Sequence, residues 1–425
     1  MIVLKPRFSE IPAYRPVKFR LLVDVDPLTP AENAVVSIYK NGALLSVVRY
    51  KSFDNFLSPF TPPNFSYLFD VDIQKYIQDS LSPEAAAPSL LNNDSPATVQ
   101  LNTDTFATYH IEVTYEQISA AGIIEAVPAV SDTSQDFQVF AASKKHSENK
   151  FLYDYIGNYP ALAEGKYLTK SLGTKEVTKE DYSFLSLIQN PLRPSNINCF
   201  RVILLDSSFA AISTGYYEFG TAPGPVQYSI NSGFNQLQNY TYVQSPNFAL
   251  TNIAYYQIDF GNLLTLGGPV YIFTSYTEFS VYKLKAGNCG RRSLRLHWLN
   301  MLGGLDSYTF DSEKALSITT KSGRSQKALS YESGALVPDL ITDIGNFKTN
   351  SKASESYKLK SKFLTNQKAA FLSELLTSTK VYAEINSQFV PVIIEDTQQD
   401  TTTESGFIRY EITAALANDL IIQRI

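Results

Sequence analysis

Three histidines and two cysteines are all that a chain of 425 residues offers for metal ligation, thiol chemistry or proton transfer near neutral pH. His110, His146 and His297 lie far apart. No two have the spacing of a zinc-binding helix, and no C-x-x-C pair occurs. His146 sits in the charged run SKKHSENK, where a solvated side chain is expected. His110 falls on the polar side of an alternating strand, and His297 stands beside Trp298 on another. A structural or interface histidine is the expectation at such a place. With no G-x-S-x-G elbow and no Walker A lysine loop, a nucleophilic triad has little to draw on. Cys199 and Cys289 leave two readings open, one disulfide or two buried thiols. The framework is too sparse to staple a secreted domain, which favours thiols.

Carboxylates are more plentiful. Asp24/Asp26 and Asp70/Asp72 are D-x-D pairs whose side chains share one face of a strand, a geometry that could hold Ca²⁺. Glu395/Asp396 is a third local pair. A glycosidase would need two carboxyls about 5–9 Å apart. The simpler reading has these carboxylates meeting turns and caps, with Asp72 capping a short helix over IQKYIQDSL. The glycine pairs Gly267-Gly268 and Gly303-Gly304 lack the spacing of a phosphate cradle and read as turns. N-x-S/T sites occur at Asn64, Asn93 and Asn239. The expectation is therefore no catalytic residue, no metal, no cofactor and no enzyme.

Aromatic content carries more information. There are 27 Tyr and 26 Phe against a single Trp. Tyrosine combines rigid apolar area with a polar tip, which suits a wet interface or a carbohydrate platform. Tyr255, Tyr256, Tyr271 and Tyr276 lie in the densest run and are the tyrosine interface candidates. The plain alternative is tyrosines lining sandwich edges. Net charge is −5 without a basic stripe, so electrostatic nucleic-acid binding is not expected. No run reaches the about 18 apolar residues of a membrane helix. The opening MIVLKPRFSEIPAYRP lacks a basic segment followed by an apolar one, so the expectation is a chain made in the cytoplasm that remains soluble or leaves by a route that needs no signal.

Positioning these residues falls to strands. Period-two alternation recurs throughout, as in FATYHIEVTYEQI, where Ile111, Val113 and Tyr115 face one way and His110, Glu112 and Thr114 the other. Asn41-Gly42, between two apolar runs, predicts a type I′ hairpin. The fold expected is mainly β: two or more β-sandwich or jelly-roll-like domains with a few short helices and extended arms. The divisions expected are an amino-terminal sandwich over 1–142, a linker with short mixed elements over 143–197 and a central sandwich over 198–290. A carboxy-terminal β-rich domain over 291–425 completes the chain. In the linker, KEDYSFLSLIQN reads as a short helix. Within the last domain, the Ser/Thr/Lys-rich stretch 311–360 reads as an arm and 366–379 as a helix capped by Thr365 or Asn366. The stretch TQQDTTTES (397–405) reads as a polar loop.

The segment from Leu296 through His297, Trp298, Asn300, Gly303, Gly304, Asp306 and Tyr308 to Phe310 spells W-L-N-x-x-G-G-x-D-x-Y-x-F. It resembles a segment of virion structural proteins of tailed phages of Bacteroidetes, the crAss-like group among them. The tail FLSELLTSTKVYAEI, FVPVIIED and IRYEITAALANDLIIQR is similar too, as is the opening with VSIYKNGALL and YLFDVDIQKYIQDSL. The resemblance covers about the first hundred residues and the last hundred and thirty. It implies a multi-copy virion protein, in the tail or its hub, that meets other virion proteins and copies of itself. The location implied is the virion, after synthesis in the host bacterial cytoplasm. No catalytic residue carries over. Read physically, Trp298 anchors a core or an interface, Asn300 and Asp306 cap backbone groups around the turn, and Gly303-Gly304 admits positive φ. With His297 and Tyr308 these complete the interface candidates. The remaining alternative is a receptor- or carbohydrate-binding module at a tail tip or head fibre, with a host-surface glycan as ligand.

Overall fold

Period-two burial runs through the first strands and decides how they pack. The computed structural model describes residues 2–4, 10–12, 17–25, 32–57, 65–81, 99–102, 106–118, 121–140, 165–169, 171, 173–189, 197–220, 227–266, 270–286, 293–311, 313–326, 331–332, 335–336, 346–386, 388–401, 407–417 and 421–424. Among these, strand dominates and three helices occur. By internal contacts the chain forms two units. The first is Met1–Thr169, Gly173–Lys285 and Asn300–Leu305; the second is Lys170–Leu172, Ala286–Leu299 and Asp306–Ile425.

The first unit opens with β1 (Ile2–Leu4), β2 (Glu10–Pro12), β3 (Lys18–Val25), β4 (Asn33–Lys40), β5 (Ala43–Lys51), β6 (Asp54–Leu57), β7 (Phe65–Asp72) and helix α1 (Gln74–Ser80). After these come β8 (Gln100–Asn102), β9 (Phe106–Ile118), β10 (Ile124–Thr133) and β11 (Phe137–Phe140). One sheet runs β1-β3-β7-β6 and the other β2-β11-β9-β4-β5, with β10 also on β9. Phe19, Phe69, Val36, Ile38, Ile111, Val113 and Tyr115 alternate inward into one core. Each such side chain contributes about 1.5–3 kcal/mol through burial. Asn41 (φ 49°) and Gly42 (φ 80°) make the two-residue turn between β4 and β5. Positive φ at both places is the type I′ signature that the dipeptide predicts. Asp72 accepts from the backbone of Gln74 at 3.0 Å, so it holds the start of α1, although the cap position itself is Ile73.

The same unit continues with β12 (Gly165–Tyr167), β13 (Lys175–Val177), β14 (Phe184–Gln189), β15 (Cys199–Leu205), β16 (Ala211–Glu218), β17 (Gln227–Asn231), α2 (Phe234–Leu237), β18 (Tyr255–Thr265), β19 (Tyr271–Ser275) and β20 (Ser280–Leu284). Its sheets run β12-β14-β17-β8 and β13-β20-β18-β15-β16, with β19 on β18. Two expectations change here. The stretch 165–189 supplies three strands to these sheets and is not a linker. FLSLIQ is strand β14, not a helix, because Phe184 through Ile188 are buried on both faces. A short run buried all round carries no period that separates strand from helix. In addition, β8 pairs with β17.

The second unit holds β21 (Leu294–Leu299), β22 (Leu305–Phe310), β23 (Glu313–Gln326), the small pair β24 (Tyr331–Glu332) and β25 (Ala335–Leu336), β26 (Asn346–Lys360), α3 (Asn366–Thr377), β27 (Val381–Ile385), β28 (Gln388–Thr401), β29 (Ile408–Leu416) and β30 (Ile421–Arg424). The large sheet runs β22-β21-β27-β28-β29-β26-β23, with β30 on β26. The segment expected to be an arm instead supplies β23 and β26. They pair from Glu313↔Lys360 to Gln326↔Asn346, because a polar stretch can form strand once a partner strand in register takes up its backbone hydrogen bonds. Thr397–Thr401, expected in a polar loop, continues β28 against β29 as far as Thr401↔Ile408. Thr365 caps α3, and Ala369, Leu372 and Leu375 turn its apolar stripe onto Trp298, Leu296 and Leu359.

Candidate functional site

Two places gather the residues that the sequence singles out. The first is the strand pair β21–β22. Alternation sends Leu294, Leu296 and Trp298 into the core and Arg295 and His297 to the opposite face. Trp298 is fully buried against Phe371, with ring centroids 5.2 Å apart. It is a core anchor, so its area faces its own unit and is not presented to a partner. Asp306 is likewise buried, and Tyr308 is partly buried with its ring edge on Phe310 at 5.0 Å.

His297 is 0% exposed. Its Nδ1 lies 2.8 Å from the Ser307 hydroxyl on β22, and its Nε2 lies 3.3 Å from a carboxylate oxygen of Glu384 on β27. Phe389 meets the ring edge-on at 5.0 Å. Hydroxyl, imidazole and carboxylate in series is the connectivity of a nucleophile, its base and the group that orients the base. Here the series runs across three neighbouring strands around a wholly buried ring, which makes it a cross-strand tie. Ser307 and Glu384 were not legible as its partners, because sequence distance hides strand neighbours.

Asn300 organises the turn. Its Oδ1 accepts from the backbone N–H of Leu302 (2.9 Å) and Gly304 (3.0 Å), and its Nδ2 donates to the Leu168 carbonyl at 2.6 Å. Gly303 takes φ 88°. Gly304 is needed for space instead, since a Cβ there would stand 2.3 Å from the Leu168 carbonyl oxygen. The Gly303 carbonyl accepts from Gln227 Nε2 at 3.2 Å.

The second place is the aromatic outer face of the β15–β18 sheet. Alternation divides the tyrosine candidates. Tyr256 is fully buried and stacks on Tyr282 at 4.6 Å, so it is core. Tyr276 packs partly against that same core. Tyr255 and Tyr271 are half-buried on the outside. Tyr255 lies flat on Phe209 at 4.1 Å, and Tyr271 approaches Tyr216 at 6.0 Å. Phe209 is 52% exposed and has φ 64°, an uncommon conformation for a bulky residue. The preceding Asp206 holds it there: one carboxylate oxygen accepts from the Ser208 hydroxyl, the Ser208 N–H and the Ala210 N–H. Those bonds lower the Asp206 pKa below the usual carboxylate value. Four residues further along the β15–β18 pair, Arg201 stacks over Phe273 at 4.5 Å and binds Asp259 through two hydrogen bonds. Sequence reasoning missed Phe209, Arg201 and Asp259. The only signal was D-S-S-F between two apolar runs.

Among the described residues, no group of three or more His, Cys, Asp or Glu side chains is placed to hold a metal ion. Asp70 is paired with Arg20 at 2.9 Å and Asp72 serves α1. Glu395 and Asp396 are exposed. The side chains of Asp24 and Asp26 lie outside what is described, as do His146, Asn64, Asn93 and Cys289. Cys199 is a buried free thiol whose pKa burial pushes well up. No helix of the described residues is long and apolar enough to cross a membrane.

The fold and these places define a mainly β, multi-sheet protein whose polar side chains tie strands together. No protein-family model matches the chain, and no curated protein matches it closely enough to count as a relative.

Proposed function

We propose that this chain is a structural component of a tailed-phage virion, a multi-copy tail or tail-hub/adaptor protein that acts through contacts with other virion proteins and with copies of itself. It turns over no substrate and needs no cofactor. The observation that carries the reading is where the reactive side chains go. His297, Asn300, Arg201 and Asp259 are bonded to neighbouring strands and turns, while apolar side chains such as Leu264, Ile318 and Ile393 lie exposed on strand faces. Exposed apolar strand faces suit permanent subunit contacts. The resemblance of the Leu296–Phe310 segment supports the same role. Mass spectrometry and immunogold labelling of purified phage particles test it. A stoichiometric band with label at one place on the particle is expected; absence from the particle overturns it.

One observation favours a second reading, a receptor- or carbohydrate-binding module. The Phe209–Tyr255 pair presents an exposed flat aromatic ledge, a surface on which a sugar ring could stack. A glycan array that lights up with the purified chain and goes dark with Phe209→Ala would favour this reading over the first.

A further inference from the structure

The hairpin β18–β19 leaves the central sheet with one face committed and one bare. Leu264 pairs with Ile272 across it, and Leu266 N–H donates to the Val270 carbonyl at 3.2 Å. Residues two apart on a strand share a face, so Leu264, Leu266, Val270 and Ile272 form one patch. They are 54, 65, 54 and 47% exposed. The opposite face is occupied, with Leu263 buried, Tyr271 and Phe273 against Tyr216, and Phe273 under Arg201.

The two edges of the hairpin differ as well. Beyond Gly261, β18 has run past its partner β15, and Asn198 closes the gap. Its Oδ1 accepts from the Leu263 N–H at 2.8 Å and its Nδ2 donates to the Leu263 carbonyl at 3.2 Å. The outer edge of β19 has no such cover: among the described residues its only strand neighbour is β18. Sheet proteins protect bare edges with lysine, inward charge or proline within the strand. Here no charged residue occurs between Asp259 and Glu278, and Tyr271–Ser275 contains neither charge nor proline.

We infer that β19 is a self-pairing edge: two copies of this chain join β19 to β19, antiparallel, about a two-fold axis, with their four-residue apolar patches packed together. The absence of charge decides for a second copy. A net charge of −5 makes two copies repel in general, and this is a stretch where like meets like without repulsion. Backbone pairing along β19 adds to the apolar contact and fixes its register, as in strand addition to an exposed sheet edge. This inference deepens the multi-copy reading by naming the surface involved, and it can fail while that reading stands.

The test is light scattering of the full chain over a concentration series, for wild type and for Leu266→Glu with Ile272→Lys. Hydrogen exchange of residues 270–275 is followed in parallel. Wild type is expected to form a dimer whose β19 amides become protected as concentration rises. The double variant, with unchanged circular dichroism and melting, is expected to dimerise at least tenfold more weakly. A chain that stays monomeric overturns the inference. So does a dimer that forms without protection at β19; that outcome leaves virion incorporation to be judged on particles. Flotation with phosphatidylcholine–phosphatidylglycerol vesicles, lost in the double variant and without self-association, would assign the hairpin to a lipid surface and overturn the inference too.

Discussion

Arg201 grips Asp259 through two hydrogen bonds, 3.0 and 2.7 Å, on adjacent strands, while the Ser275 hydroxyl donates a third at 2.6 Å. Asp259 is fully buried. Burial raises its pKa from the usual carboxylate value, and Arg201 and Ser275 offset that in part. A carboxyl raised on folding contributes stability that is fully present below its unfolded pKa, about 3.9, and is lost as pH rises through the folded value. Arg201→Met leaves a buried charge unpaired and should cost about 3–5 kcal/mol at pH 7. Its deficit should shrink on acidification, as Asp259 takes up a proton. Urea melts at pH 7 and pH 4 measure both; equal deficits at the two values would contradict the argument.

The turn at Asn300 should be intolerant in two different ways. Asn300→Ala removes the partner of two turn N–H groups and of the Leu168 carbonyl. Each buried group left unpaired costs about 1–3 kcal/mol. Gly304→Ala forces a methyl onto the same carbonyl and should cost about 1–3 kcal/mol through overpacking. Chemical denaturation measures each loss, and a near-neutral Gly304→Ala would mean that the turn yields freely.

Trp298 is the only tryptophan and is fully buried in the second unit. Its fluorescence is therefore a reporter of that unit alone. Blue-shifted emission with little iodide quenching is expected in the native protein, with a red shift only as this core melts. Trp298→Ala should cost about 3–5 kcal/mol.

Ser307 touches an imidazole that touches a carboxylate, yet it is expected to be inert. Incubation with a fluorophosphonate, followed by peptide mapping, should leave Ser307 unmodified. His297→Phe should abolish no hydrolytic activity, because none is expected. Stoichiometric labelling at Ser307, lost in that variant, would contradict the structural reading of this series.

Local chemistry was legible wherever the answer depends on neighbours in sequence. Asn41-Gly42 requires positive φ at both residues, and the hairpin follows. The stripe Ala369, Leu372 and Leu375 has helical period, and Thr365 precedes it with an oxygen for the Lys368 N–H. Asn300 before two glycines announced its turn. FLSLIQ misled because burial on both faces removes the period. The stretch 311–360 misled because Ser and Thr are polar alone but form a strand once paired.

By itself, the sequence determined a mainly β chain: its alternation, turns and aromatic bias each follow from a few adjacent residues. Only the tertiary structure decided which tyrosines are core and which are surface, since Tyr255 and Tyr256 are equivalent in composition and differ only in the side of the sheet they face. It alone joined His297 to Ser307 and Glu384, and Arg201 to Asp259. Strand neighbours are chosen by register across the sheet, and register is settled by packing between residues far apart in the chain.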